Sequence, residues 1–196
     1  MNLCLDVNVY VADALARRRG ARIGASSRIV DLVRAGHCAL GPVRLVISWR
    51  MLTTLGLALR NLGLSPEEAE GVARLTGSLA AGGAATPAPH LVLGGTGLLP
   101  MRDGEDAGVV ETALAGAADI LVTHDLGDFE RGSRSWLRTE RLATRARGGP
   151  AAIIIHHGTD AGLAAAVPDL AIGWLLGQTV PPRGILDRFV GRVPGA

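Results

Sequence analysis

The chain has 196 residues, of which 48% are hydrophobic and 19% are charged. This composition excludes an intrinsically disordered protein and suits one α/β domain of ordinary size with an apolar core. The formal net charge of +2 does not by itself indicate a nucleic-acid partner, and all 20 basic residues are arginine, which we attribute to GC-rich coding bias.

The first half of the chain alternates short apolar runs with segments of helical spacing. These patterns predict strands at NLCLD (2–6) and VRLVIS (43–48), and helices at VYVADALARR, SSRIVDLVRAG, WRMLTTLGLALRNLG and SPEEAEGVARLTGSLA. Ser26 or Ser27 is expected to cap the second of these helices, and Ser48 the third. Ser65 and Glu68 are three residues apart and predict a capping box at the fourth.

The second half of the chain continues the same alternation. It predicts a loop at AGGAATPAPH, a short strand at LVL, a helix at GEDAGVVETALAGAA, a strand at DILVT, a helix at RGSRSWLRTERLATRAR, a strand at AAIII, and an apolar helix at AGLAAAVPDLAIGWLLG that is broken near its proline. Because strands alternate with helices, we expect an α/β fold with a parallel sheet covered on both faces. We expect a domain at residues 1–157, with a C-terminal helix and tail at 158–196 packed on it or at an interface.

Three aspartates lie where this topology gathers them at one edge of the sheet. Asp6 ends the first strand, Asp125 follows the DILVT strand, and Asp106 lies in the first turn of the helix before that strand. In open parallel sheets, ligands bind at the carboxyl ends of the strands. Converging carboxylates repel one another unless a hard cation such as Mg²⁺ or Mn²⁺ lies between them. The pattern therefore predicts a metal site for phosphodiester hydrolysis.

Each acid also has an ordinary structural explanation when it is taken singly. Asp106 suits the positive end of a helix dipole, and Asp125 and Asp128 suit turn or capping positions. Asp6 is harder to explain in this way, because it closes an apolar strand. The functional interpretation depends on the combination of these acids.

Two segments, LDVNV (5–9) and DAGVVETALAGAADILVTHDLGDF (106–129), resemble the PIN domain family. The closest likeness is to the bacterial PIN proteins that include VapC-like toxins, and it covers about residues 2–157. Members of this family begin with a strand that ends in Asp-x-Asn and carry a later strand that ends in Thr-x-Asp. The resemblance implies a Rossmann-like, three-layer PIN fold with a central parallel sheet flanked by helices.

The same resemblance implies roles for individual residues and for partners. Asp6, Asp106 and Asp125 would bind the metal, and Asp128 would be an auxiliary acid. Asn8 would orient Asp6 or a water, while the remaining motif residue, Thr123, would hydrogen-bond the aspartate cluster. The implied activity is an endoribonuclease that uses Mg²⁺ or Mn²⁺, including the toxin of a toxin–antitoxin pair. RNA, an antitoxin protein and a second copy of the chain in a homodimer are the implied partners.

One feature departs from the family pattern. The family usually carries Glu early in the helix after the second strand, whereas this chain has Thr53 and Thr54 there. The next acids along the chain, Glu67 and Glu68, belong to the following helix. Two hypotheses therefore stay open: an active nuclease, or a degenerate PIN domain that binds RNA or a protein without cutting.

Arginines recur at spacings of three and four residues after Asp128. On a helix, Arg131, Arg134 and Arg138 would begin one basic stripe that tracks RNA phosphates. The alternative is an ordinary solvated helix face.

The cysteines and the lengths of the apolar runs indicate the cellular compartment that we expect for this chain. Cys4 and Cys38 lie far apart in the chain without a C-x-x-C motif, so we expect buried thiols in a reducing cytoplasm. We expect no signal peptide and no membrane span, because the chain has neither a basic start followed by a long apolar stretch nor an unbroken apolar run of about 18 residues.

Overall fold

A computed structural model describes residues 1–21, 23–82, 91–92, 104–132, 138–145, 148–157 and 161–179. The helices within these ranges are α1 (Val7–Arg18), α2 (Ala25–Ala35), α3 (Trp49–Asn61), α4 (Pro66–Gly82), α5 (Gly104–Ala115), α6 (Leu126–Gly132) and α7 (Pro168–Leu175). The strands are β1 (Asn2–Leu5), β2 (His37–Cys38), β3 (Gly41–Pro42), β4 (Arg44–Ser48), β5 (Leu91–Val92), β6 (Ile120–Val122), β7 (Arg138–Thr144), β8 (Pro150–His157) and β9 (Ala161–Ala166).

Most of the strands form one seven-stranded sheet in the order β5-β4-β1-β6-β9-β8-β7. The five strands from β5 to β9 in this order are parallel, whereas β8 is antiparallel to both β9 and β7. Helices flank the sheet, so the α/β architecture predicted from the sequence is confirmed. The prediction of a parallel sheet holds for its central part, and an antiparallel pair extends it at one edge.

Local sequence signals set several helix ends. The Ser48 hydroxyl accepts from the backbone N–H of Met51 at 3.3 Å, as the predicted cap of α3 requires. Ser65 and Glu68 exchange side-chain and backbone hydrogen bonds of 3.2 and 2.8 Å, which confirms the capping box of α4. The prediction for α2 was wrong in detail: its N-cap is Gly24, and both predicted cap serines lie buried inside the first turn.

Two further predictions are corrected by the sheet. Residues 138–144 form β7, although the sequence had predicted one helix from 131 to 147. Residues 161–166 form β9, although the alanine-rich run had predicted a helix. Pairing on both sides, with β6 and with β8, outweighs the helix propensity of alanine in β9. The boundary predicted at residue 157 falls between the paired strands β8 and β9.

The core lies around the central strands. Leu3, Cys4 and Leu5 of β1 are fully buried, as is all of β6, because helices cover both faces of these strands. The end of α5 lies directly on β4: a Cβ at Gly116 would lie only 2.1 Å from Val46 Cγ1. Glycine at that position therefore allows α5 to approach the sheet, and α5 carries part of the candidate site. None of the described helices is long and apolar enough to cross a membrane.

Candidate active site

The candidate site lies at the carboxyl ends of β1 and β6, which are neighbours in the sheet. Asp6 directly follows β1, and its backbone N–H donates to the carbonyl of Val122 at 2.9 Å, so the pairing continues past the end of the strand. Thr123 directly follows β6 and is fully buried. Because the two strands are parallel and in register, the polar residues that follow them meet at one edge of the sheet.

Asn8 joins the two strand ends. Its side-chain Nδ2 lies 2.7 Å from Asp6 Oδ2 and 2.9 Å from Asp125 Oδ2, so one amide group donates to both carboxylates. Its Oδ1 accepts from the backbone N–H of His124 at 3.2 Å. Because the Asn8 amide is neutral, it holds the Asp6 and Asp125 carboxylates close together without neutralising the charge of either.

Thr123 completes this network from within the core. Its hydroxyl donates to Asp6 Oδ2 at 2.7 Å and accepts from the backbone N–H of Asp125 at 3.1 Å. Asn8 Nδ2 also lies 3.1 Å from the Thr123 hydroxyl oxygen. Because the amide has two protons and three acceptors within reach, one of its protons is shared between two of them. The predicted partners Asp6, Asn8, Thr123 and Asp125 therefore form one connected hydrogen-bond network.

Asp6 carries the clearest electrostatic perturbation in the site. Burial raises the pKa of Asp6 from 3.8 to about 6, and repulsion from Asp125 and Glu105 acts in the same direction. The hydrogen bonds from Thr123 and the backbone of Val7 act against this rise. A buried carboxylate that is held beside other acids is stabilised by a cation, and this is the electrostatic situation expected of a metal ligand.

These residues line a cleft of about 500 Å³. All of the predicted acids line it, and so do residues that the sequence pattern did not indicate. The cleft is lined by Asp6, Val7, Asn8, Val11, Ala12, Leu15, Arg50, Met51, Thr54, Ala58, Glu105, Asp106, Gly108, Val109, Asp125 and Asp128. The site thus draws on α1, α3, α5 and α6 as well as on the two strand ends.

Glu105 is an acid of this cleft that the sequence pattern did not indicate. It precedes Asp106 in the first turn of α5, and it contributes to the raised pKa of Asp6. Acids in the first turn of a helix are common because they interact favourably with the helix dipole. The sequence therefore offered no reason to assign Glu105 to a functional site. Glu105 lines the same cleft as Thr54, one of the two threonines at the usual glutamate position.

The two threonines at the usual glutamate position have different surroundings. Thr54 lines the acidic cleft, whereas Thr53 lines a separate groove between α3 and α4. The Thr53 hydroxyl donates to the backbone carbonyl of Trp49 at 3.0 Å. Thr54 is thus the residue of α3 that faces the acids, and it brings a hydroxyl without charge.

Asp128 and the predicted basic stripe occupy a different setting from the core network. Asp128 lies in the first turn of α6, its side chain is 51% exposed, and it pairs with Arg131. Arg138 lies on β7, so it does not continue a helical stripe from Arg131, and Arg134 lies outside the described residues. The prediction of a single helical row of arginines is wrong, because that part of the chain pairs with β8 as a strand.

His124 connects the turn after β6 to α2. Its Nε2 lies 2.9 Å from the Ser26 hydroxyl, and its backbone carbonyl accepts from Arg145 Nη2 at 3.2 Å. Burial lowers the pKa of His124, against the attraction of Asp125 and Asp169. The buried Ser26, which was predicted as a helix cap, instead positions the turn that carries Asp125.

The donor chemistry of the cleft fits a hard divalent cation. Its acids supply only oxygen ligands, which Mg²⁺ and Mn²⁺ prefer, and one of them has a raised pKa. Among the residues that the structure describes, however, no three His, Cys, Asp or Glu side chains converge as a ready metal-binding group. The assignment of Asp6, Asp106 and Asp125 as the ligands therefore stays a prediction.

Comparison with known proteins agrees with the geometry at the level of family. A family model described as the PIN domain matches residues 2–127, which include both strand ends and every cleft acid except Asp128. The searches of curated proteins and of solved structures returned no match.

Proposed function

The chain belongs to the PIN domain family, and we propose that it is an endoribonuclease dependent on Mg²⁺ or Mn²⁺. PIN domains are generally nucleases that use divalent metal ions. The observation that supports this proposal best is the shared hydrogen-bond network of Asp6, Asn8 and Asp125, in a cleft that Asp106 and Glu105 also line.

In this proposal Asp6, Asp106 and Asp125 hold the metal. The bound ion would supply an activated water and offset the negative charge that develops on the phosphate. Asn8 holds the Asp6 and Asp125 carboxylates in place by donating to both, and Thr123 holds Asp6 by donating to the same Asp6 oxygen. Burial of Asp6 against apolar β1 excludes bulk water from its inner side, which strengthens its attraction for a cation.

Glu105 supplies the negative charge that Thr54 lacks. Both residues line the same cleft, and the effect of Glu105 on the pKa of Asp6 places its charge within electrostatic reach of the network. We propose that this acid from the start of α5 replaces the glutamate that the family usually carries on α3. The total number of acids around the metal then stays the same although their origin in the fold changes.

A second function, binding of RNA or of a protein partner without cleavage, is favoured by a specific observation. The α3 wall of the cleft presents Thr54 and Arg50, and neither side chain can serve as a carboxylate ligand. This alternative keeps the same surface for its ligand and differs only in the missing reaction.

We also propose that the protein is the toxin of a toxin–antitoxin pair, acting as a homodimer in the cytoplasm and inhibited by an antitoxin protein. The support is the likeness of residues 5–9 and 106–129 to VapC-like proteins. We expect induced expression of the protein to arrest growth. Co-expression of a neighbouring small open reading frame should relieve this arrest.

Cleavage of RNA by the purified protein tests the main proposal. Single-stranded RNA oligonucleotides should be cut in Mg²⁺ or Mn²⁺, should stay intact in EDTA, and should stay intact with Asp125→Asn. If the native protein leaves the RNA intact in both metals, the nuclease proposal is wrong and the second function, binding without cleavage, is favoured. Undiminished cutting by Asp125→Asn would place the active site elsewhere.

A further inference from the structure

We propose that Arg50 binds a phosphate group of the RNA in the acidic cleft. This inference rests on the proposed function, because it assigns a substrate contact within the same site. Arg50 is the second residue of α3, directly after the capped end of β4, and its side chain lines the cleft.

The path of the Arg50 side chain is set by two glycines on α5. A Cβ on Gly108 would lie 3.5 Å from both Cδ and Nη1 of Arg50, and one on Gly104 would lie 3.5 Å from Nη2. The two glycines are one turn apart, so they leave a strip of helix surface without side chains. The arginine lies along this strip beside the turn that carries Glu105 and Asp106.

The Arg50 guanidinium is available to a ligand. The residue is exposed, and its side chain makes no hydrogen bond or ion pair with another residue of the described ranges. By contrast, Arg17, Arg131 and Arg141 each pair with an acid. A planar guanidinium that is not engaged by an acid of the described ranges can bind a phosphate through two parallel hydrogen bonds.

The acidic lining of the cleft explains why RNA binding would require the positive charge of Arg50. A cleft lined by carboxylates repels RNA phosphates, so a substrate requires positive charge on the wall in addition to any metal. Arg50 and Thr54 are four residues apart on α3 and both face the cleft. The wall that carries an acid in the family pattern therefore carries a neutral hydroxyl and a cation in this chain. The α3 wall is thus suited to hold the substrate, while the acids of β1, β6 and α5 hold the metal.

The dependence of RNA binding on salt tests this contact directly. The affinity of the full-length protein for a fluorescent single-stranded RNA is measured in EDTA over a range of NaCl concentrations, without cleavage. Arg50→Gln should weaken binding about tenfold at low salt, and it should reduce the slope of log affinity against log salt by about 0.7, the value for one phosphate contact on a single strand. Arg50→Lys should retain the slope.

Arg60→Gln is the matched control. It makes the same charge change on the same helix, but Arg60 lines the groove between α3 and α4 and not the acidic cleft. Its affinity and salt slope should equal those of the native protein. An Arg50→Gln protein whose slope matches that of Arg60→Gln overturns the proposal, and so does a native protein that binds no RNA.

Cleavage assays separate this proposal from the nuclease activity. Suppose that the native protein binds RNA without cutting it and that Arg50→Gln still reduces the slope of log affinity against log salt. The phosphate contact then stands, and the endonuclease proposal is wrong. If the native protein cuts and Arg50→Gln changes neither the slope nor KM, the nuclease stands and Arg50 has no part in binding. In an active enzyme, we expect the substitution to raise KM more than it lowers kcat.

Discussion

The side-chain nitrogen of Asn8 lies between two carboxylates, 2.7 Å from Asp6 Oδ2 and 2.9 Å from Asp125 Oδ2. The two aspartates are far apart in the chain, and they approach because β1 and β6 are parallel neighbours. The amide donates to both of them while it leaves their charges intact. Asn8 therefore organises the acids before any cation binds.

Replacement of Asn8 by alanine should impair catalysis more than folding. Without the shared donor, Asp6 and Asp125 repel each other across the cleft, and we expect activity in Mn²⁺ to fall about tenfold to a hundredfold. The rate of RNA cleavage and the melting temperature measure the two effects. Asn61→Ala is the control, because Asn61 is exposed at the end of α3 and outside the cleft. Equal rates for the two variants would contradict a role for Asn8.

Replacement of Asp6 by asparagine should stabilise the metal-free protein at neutral pH. Burial, with repulsion from neighbouring acids, raises the pKa of Asp6 to about 6, so between about pH 4 and pH 6 the folded state keeps a proton that the unfolded state has lost. The free energy of unfolding of the native protein therefore falls as pH rises through this window. At pH 7 the Asp6→Asn protein should be more stable by about 3 kcal/mol.

Urea unfolding in EDTA at several pH values measures this difference. The gap between Asp6→Asn and the native protein should open between about pH 4 and pH 6 and stay constant above. Glu67→Gln is the control, because Glu67 is an exposed acid in the first turn of α4. A gap that is absent at pH 7, or that closes as pH rises, would contradict the raised pKa.

Glu105 should contribute to metal binding although it is not in the family pattern. Glu105→Gln removes one negative charge from the cleft, so we expect Mn²⁺ affinity measured by calorimetry to fall about tenfold. Glu67→Gln removes the same charge from the first turn of α4, which lies outside the cleft. The same Mn²⁺ affinity in both variants would show that the loss reflects net charge and not position.

Restoration of an acid on α3 should depend on which threonine is replaced. Thr54 lines the acidic cleft, whereas Thr53 lines the groove between α3 and α4. We expect Thr54→Glu to increase Mn²⁺ affinity by about tenfold and Thr53→Glu to leave it unchanged. Melting temperatures with and without Mn²⁺ provide a second measure, since a bound ligand stabilises the folded state. An effect of Thr53→Glu equal to that of Thr54→Glu would contradict the orientation of α3.

The sequence by itself predicted what depends on local patterns. The apolar run of β1 places Asp6 at its end, and the run of β6 does the same for Thr123 and Asp125. Helix starts at Ser48 and Ser65 follow from side chains that cap neighbouring backbone N–H groups. These features need only residues that are close in the chain.

Tertiary structure decided the features that depend on distant partners. The alanine-rich β9 is a strand because β6 and β8 pair with it on both sides, and a sequence of high helix propensity does not reveal those neighbours.

The orientation of α3 in the cleft has the same kind of cause. Adjacent residues on a helix point about 100° apart, so the packing of buried Met51, Leu55 and Leu59 decides that Arg50 and Thr54, and not Thr53, face the acids. The four predicted aspartates, which all line the cleft, could be found from the chain alone. Glu105 and the residues of the α3 wall could not, because their place in the cleft depends on how the helices pack.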